Sequence, residues 1–300
     1  MADHESAWEP LGAQAVSVAE AVGRREPCVL RQRAAHWPAV AQWTWERLGA
    51  LAPDLPVRLV QGNRELGATV FQPSTLGAYL QSLQGPATAG EAPLYLKEFN
   101  LLGAFPTLRA DVRPQELFPP GALHDAQTWI GPAEARTGLH HDYLDNLAVQ
   151  LVGRKRFYLL RPGAVERLGA VAAKHDRWAA LASLNADAVV DRGVVAGDAW
   201  VVDLEPGDVL YVPARWWHEV VNHTPSVLLS GFLAPARRCT RSGRGARLCR
   251  GRTWRACGDV GIAPAIRRGF RAADKKPQAG FLPGVGARVQ GGDGTQTPGP

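Results

Sequence analysis

The stretch LEPGDVLYVPARWWHEVVNH, residues 204–223, sets two short apolar runs between Gly, Pro and Asp breaks and carries a histidine flanked by tryptophan and valine. Pro206-Gly207-Asp208 and Pro213-Ala214 read as turns, because glycine tolerates positive φ and proline cannot donate to a ladder. The runs beside them then read as strands. HEVVNH superficially matches the zinc-protease string, which needs histidines at i and i+4 on a helix. His218 and His223 are five apart in a Val-Val strand context, so the protease reading fails.

Outward from this stretch the same texture repeats. AQTWIGP (126–132), NLAVQLVG (146–153), KRFYLLRP (155–162), DAWVVDLEPGD (198–208) and SVLLSGFL (226–233) are short β segments divided by turn residues. That pattern predicts a mainly β sandwich or barrel. VERLGAVAAKHDRWAALASLN (165–185) has helical spacing and is expected to be a helical excursion between two strands.

Nearer the start, SVAEAVGRREPCVLRQRAAHWPAV (17–40) reads as a helix, a turn, the strand PCVLR and a loop ending in Trp-Pro. TWERLGALA (44–52) and PSTLGAYLQSLQ (73–84) have helical periodicity, whereas PVRLVQG (56–62) and ATVFQP (68–73) alternate like strands. The expected organisation is an α+β lead-in over 1–120 whose helices pack on a later sheet, a β core over 121–235, and a tail over 236–300.

TGLHHDYLDN (137–146) offers four candidate ligands, His140, His141, Asp142 and Asp145. On an extended strand His140 and Asp142 share one face, and His141, Tyr143 and Asp145 share the other. The first pair makes a two-toothed metal clamp, for which His218, far along the chain in the stretch quoted first, supplies a third ligand. Two histidines and a carboxylate form the facial triad of non-haem Fe(II) oxygenases, and the same ligand types also suit zinc.

The order HxD at 140–142, then GRKR at 153–156, then LEPGDVLYVPARWWHEV, resembles the Jumonji-C group of the cupin superfamily, nearest to its small asparaginyl-hydroxylase type. The resemblance runs over about residues 15 to 235 and is strongest from Trp129 to Phe232. It implies a double-stranded β-helix (jelly-roll) barrel. It also implies Fe(II) held by His140, Asp142 and His218, 2-oxoglutarate as cosubstrate and O2 as oxidant. Lys155, within the GRKR string, matches the lysine that grips the distal carboxylate of 2-oxoglutarate; such a dianion needs a cation at the far end of an apolar barrel. Thr137, Tyr95 and Asn146 match positions that reach the same cosubstrate pocket. One departure is visible: an asparagine expected on the last barrel strand is replaced by Ser230 or Gly231 in LLSGFL.

The activity implied is hydroxylation of a C–H bond with release of succinate and CO2, most readily in a protein side chain. No reader domain or zinc cluster beside the barrel suggests chromatin demethylation. A catalytically inactive binding cupin and an RNA or tRNA-base hydroxylase are the alternatives, since fold does not dictate function.

Charge divides sharply along the chain. The net +6 is the sum of +11 over residues 236–300 and −5 over residues 1–235. The tail is rich in glycine and arginine and has no period, so it is expected to be disordered, a reading-frame artefact or a basic arm for nucleic acid or an acidic partner. Cys28, Cys239, Cys249 and Cys257 have neither zinc nor disulfide spacing and are expected to be free thiols. No apolar run reaches the roughly 18 residues of a membrane span, and the acidic start MADHESAWEP is unlike a secretory signal, so a cytoplasmic location is expected. The expected partner is a protein or peptide substrate. Nucleic acid at the tail and a homodimer are left open, and no membrane partner is expected.

Overall fold

A computed structural model describes residues 7–61, 70–85, 92–117, 126–172, 179–193 and 197–233. The tail 236–300, with Cys239, Cys249 and Cys257, lies outside them. Fourteen strands are present among the described residues: β1 Glu9–Pro10, β2 Cys28–Leu30, β3 Pro56–Gln61, β4 Val70–Thr75, β5 Leu94–Phe99, β6 Gln127–Gly131, β7 Arg136–Asp142, β8 Asp145–Val152, β9 Lys155–Leu160, β10 Ala179–Leu181, β11 Ala199–Leu204, β12 Val209–Val212, β13 Trp217–Asn222 and β14 Ser226–Leu233. They form a six-stranded sheet in the order β1-β11-β9-β13-β7-β10 and an eight-stranded sheet in the order β2-β12-β8-β14-β6-β5-β3-β4. This is the double-stranded β-helix expected from the sequence.

Alternation along the strands separates three apolar layers. Phe157 and Leu159 of β9, Val202 and Leu204 of β11, Leu210 and Val212 of β12, Val220 of β13 and Leu228 of β14 fill the barrel between the sheets. The intervening positions of the larger sheet, among them Leu147, Val149, Tyr211, Val227 and Leu229, pack beneath the N-terminal helices. Those helices therefore lie on a sheet formed later in the chain, as their apolar spacing predicts. The outer face of the smaller sheet carries a third cluster with Leu139, Leu160 and Trp217.

The lead-in also extends the sheet. β5 pairs with β6, β3 with β5, and β2 with β12. The helix Leu76–Ser82, capped by the Thr75 hydroxyl on Ala78 N, presses Tyr79 inward so that its hydroxyl donates to the Ile130 carbonyl at 2.7 Å.

The helical excursion over 165–185 is corrected. Among the described residues of the stretch only Ala164–Arg167 belongs to an α-helix, Ala179–Leu181 is a strand, and a second short helix, Ala186–Asp191, begins just after it; the part of the expectation over 173–178 lies outside the described residues. The free edge of β7 offers unpaired backbone groups, and β10 satisfies them by pairing with His140, His141 and Asp142. Ladder hydrogen bonds at that edge outweigh the helical spacing of short alanine-rich runs.

Cys28 is buried and free, and burial pushes its thiol up to about 11. The expectation of a free thiol is met at this cysteine. Among the described residues no helix is long and apolar enough to cross a membrane.

Candidate metal and cosubstrate site

His140, Asp142 and His218 each offer one ligand atom, all within 4.8 Å of one another. His140 and His218 are direct partners across the β7 and β13 ladder, with ring centroids 4.2 Å apart. His218 Nε2 lies 3.8 Å from an Asp142 carboxylate oxygen. His140 Nδ1 donates to Gly138 O at 2.7 Å and His218 Nδ1 to Trp216 O at 3.0 Å. These carbonyls can only accept, so each ring keeps its proton on Nδ1 and turns the Nε2 lone pair toward the cluster. Burial, then the neighbouring His140, holds His218 well below its ordinary pKa, which keeps it in the neutral ligating form. Two imidazoles with fixed tautomers and a carboxylate suit Fe(II), and also zinc.

His141 points the other way. Its ring packs edge-on against Trp217 at 4.6 Å and Tyr143 at 5.3 Å, within the outer layer. Asp145 sits beyond the turn that ends β7, where it accepts from Tyr211 Oη at 2.9 Å and Ala214 N at 2.8 Å. That bond fixes the loop leading to Trp216 and His218.

Strand parity alone would put Thr137 on the face of His141, at odds with a place beside His140. The ladder resolves this with a bulge. His218 pairs with His140 and Val220 with Thr137, so β13 spends two residues where β7 spends three. Cross-strand partners share a face and His218 and Val220 have equal parity, so the extra residue turns Thr137 and His140 to the same interior.

Deeper in the barrel, Lys155 is 1% exposed. Its ammonium donates to Tyr95 Oη at 2.6 Å and Asn222 Oδ1 at 2.7 Å. Lys155 Nζ is also 5.1 Å from the Tyr95 ring centroid, but the hydroxyl contact is the real one. Lys97 Nζ lies 5.2 Å from the same centroid. Burial, and secondarily Lys97, pushes Lys155 well below its ordinary pKa. Burial raises that of Tyr95, against hydrogen bonds from Thr137 and Asn222. A buried cation whose two hydrogen-bond partners are neutral is electrostatically incomplete, and an anion would complete it.

Asn146 is buried and its Oδ1 accepts from Ser230 Oγ at 2.9 Å. Ser230 thus stands at the inward place of the missing asparagine. Tyr95, Thr137 and Lys155 converge on one hydrogen-bonded cluster, while Asn146 and Ser230 form a separate pair on β8 and β14. Among the described residues three buried side-chain polar atoms lack hydrogen-bond partners, Gln127 Oε1, Gln150 Oε1 and Ser226 Oγ, all on strands of the eight-stranded sheet. Gln150 alternates with Val149 and Leu151, and Ser226 with Val227 and Leu229, all of which pack beneath the N-terminal helices, so both face the barrel. An interior with unmet polar atoms fits a polar occupant.

Asn222 was missed by sequence reasoning, although its i+4 spacing from His218 on a strand gives it the same parity. Glu219 was missed too. It is fully buried, accepts from Ala186 N at 2.8 Å and pairs with Arg136 at 3.0 Å, tying the helix Ala186–Asp191 to β7 and β13.

The family model described as a cupin-like domain matches residues 13–233. The chain is 28% identical over 229 residues to Jumonji C domain-containing protein 5 of Drosophila melanogaster, covering 68% of this chain and 54% of that protein. It is 26% identical over 231 residues to bifunctional peptidase and (3S)-lysyl hydroxylase JMJD7 of Homo sapiens, covering 65% and 72%. It is 31% identical over 128 residues to tRNA wybutosine-synthesizing protein 5 of Gallus gallus, covering 43% and 39%. The chain spans about half the length of the fly relative and of other curated relatives that match over a similar stretch.

Proposed function

The chain belongs to the cupin-like domain family, as the Jumonji-C resemblance of its HxD, GRKR and WWHEV strings implies, and from that premise we propose that it is an Fe(II)- and 2-oxoglutarate-dependent dioxygenase that hydroxylates a protein side chain. One observation carries the reading. A buried ammonium with neutral partners and a three-ligand metal clamp face the same barrel interior, which is what a metal-chelating dicarboxylate needs at its two ends.

His140, Asp142 and His218 would hold the metal, leaving part of its coordination sphere open. When bound, Fe(II) with 2-oxoglutarate supplies dioxygen activation coupled to decarboxylation to succinate and CO2. Lys155 and the Tyr95 hydroxyl would bind the remote carboxylate, and Thr137, on the Tyr95 hydroxyl, would fix the direction of that bond. Phe157, Leu159 and Val220 line the interior and keep water from the reacting region. Asn146, held by Ser230, would present its remaining amide hydrogen-bonding capacity to the metal-bound end of the cosubstrate.

The name of the human relative, a lysyl hydroxylase, supports a protein substrate. A base-hydroxylating reading is second, favoured by the stretch shared with the chicken tRNA-modifying relative. The decisive experiment is anaerobic titration with Fe(II) and 2-oxoglutarate, followed by the weak visible charge-transfer band of the ternary complex. A silent titration, or one unchanged by His140→Ala, rejects the oxygenase reading and leaves the inactive cupin. Succinate release stimulated by lysine-containing peptides, and not by tRNA, then separates the two substrate classes.

A further inference from the structure

The cluster around Lys155 contains a residue that neither the HxD string nor the lysine spacing points to. Asn222 is fully buried and lies directly across the β13 and β9 ladder from Lys155. Every polar group it owns is used. Its backbone N–H donates to Ala135 O at 3.0 Å, its carbonyl accepts from Glu134 N at 2.8 Å, and its side-chain Nδ2 donates to Pro132 O at 2.9 Å. The Pro132 carbonyl can only accept, so the amide orientation is settled and Oδ1 must face the ammonium. The Asn222–Lys155 contact at 2.7 Å is thus imposed by the loop after β6.

Two consequences follow for the charge. With Tyr95 and Asn222 each taking one of the three ammonium protons, one proton remains for an incoming acceptor. Both partners are neutral, so the charge itself stays uncompensated until an anion arrives. An aspartate in place of Asn222 would supply a counter-ion of nearly the same shape and satisfy the lysine within the protein. Position also matters. His218, Val220 and Asn222 share one face of β13, so the backbone positions of the ligand His218 and of the residue that holds Lys155 are about 13 Å apart along one strand at roughly 3.3 Å per residue.

We propose that Asn222 is the positioning residue of the cosubstrate pocket: it aims Lys155 Nζ at the remote carboxylate of a metal-chelating dicarboxylate and, by being neutral, reserves that charge for it. This rests on the dioxygenase reading above. Serine and aspartate both lose the donation to Pro132 O, so a merely structural asparagine predicts similar losses of 2-oxoglutarate affinity for the two, whereas a charge-reserving one predicts the larger loss for aspartate.

The test uses the full chain with Mn(II) as a redox-silent probe metal. Calorimetry measures Mn(II) affinity and then 2-oxoglutarate affinity for the unaltered protein, Asn222→Ser and Asn222→Asp, with melting temperatures alongside. Asn222→Ser should lose several-fold in 2-oxoglutarate affinity, and Asn222→Asp at least about tenfold more, a difference worth about 1.4 kcal/mol. Mn(II) affinity should stay within about twofold of the unaltered protein, as expected for a group outside the ligand set. Should the aspartate variant not fold, Asn222→Ser decides alone, and unchanged 2-oxoglutarate affinity overturns the proposal. Equal or tighter 2-oxoglutarate binding by Asn222→Asp than by Asn222→Ser, or a parallel loss of Mn(II), also overturns it. If the unaltered protein itself takes up Mn(II) but not 2-oxoglutarate, the dioxygenase reading fails and this inference with it; failure of the variants alone to discriminate leaves that reading standing.

Discussion

Lys155 Nζ lies 2.6 Å from the Tyr95 hydroxyl, and both side chains are almost wholly buried. A lysine placed just after a hairpin glycine would ordinarily snorkel to water. Here β9 turns it inward, in step with Phe157 and Leu159, and the phenol from β5 meets it across the barrel.

Replacing this lysine should separate the two halves of the site. Lys155→Met keeps the length and apolar stem but removes the charge. The expected outcome is loss of 2-oxoglutarate affinity by about a hundredfold, on the order of the 2–5 kcal/mol of a truncated buried charge contact. Metal affinity should be nearly unchanged, because the ligand atoms belong to His140, Asp142 and His218. Calorimetry reads both, and equal loss of metal and cosubstrate would argue against the assigned role.

Gly131 carries the next prediction. A Cβ there would stand 2.6 Å from a Tyr95 ring carbon and 3.0 Å from Asn222 Nδ2. Gly131→Ala must therefore displace the phenol that meets Lys155, at a cost of about 1–3 kcal/mol for overpacking. Urea unfolding should register that loss, and 2-oxoglutarate affinity should fall further than metal affinity. Unchanged stability would mean that the ring has room the structure does not show.

The histidines make metal-free stability depend on pH. Burial lowers His218 well below its ordinary value of 6.5 and lowers His141 as well. The unfolded chain then holds protons that the folded chain has released, so stability is fully present above about pH 6.5 and declines as pH falls below it. Each histidine contributes a slope of at most about 1.4 kcal/mol per pH unit. Glu219, pushed up by burial from 4.5, acts with opposite sign from that value upward, so the histidine slope is cleanest just below pH 6.5. Thermal melts across this window should show the melting temperature dropping with acid, and a flat profile counts against the buried neutral histidines.

What could be read from the chain was local. Turn residues bracketed SVLLSGFL, KRFYLLRP and NLAVQLVG, and each is a strand close to its expected limits. Parity singled out His140 and Asp142, and a distant string offered His218 as the third ligand. Three features could not be read this way, because each is decided by a partner far along the chain. β10 forms because β7 has a free edge, Thr137 turns inward because β7 bulges against β13, and Asn222 matters because Pro132 fixes its amide. Alanine-rich spacing around 179–181 carries no trace of the first, and strand parity alone gives the wrong face for Thr137.

The choice between adjacent histidines gives the sharpest contrast. His140 faces His218, with its Nδ1 bound to Gly138 O, whereas His141 stacks edge-on against Trp217 in the outer layer. His140→Ala removes a donor atom and should reduce metal affinity by at least about tenfold, while leaving the outer layer intact. His141→Ala removes packing and the long Nδ1 contact to Asp142 O at 3.3 Å but no ligand atom, so it should cost about 1–3 kcal/mol of stability and leave metal affinity nearly as it was. Metal titration of both variants, with melts in parallel, reads the two effects separately. Loss of metal with His141→Ala but not with His140→Ala would place the clamp on the other face of β7, and with it the whole assignment of the barrel interior as the site.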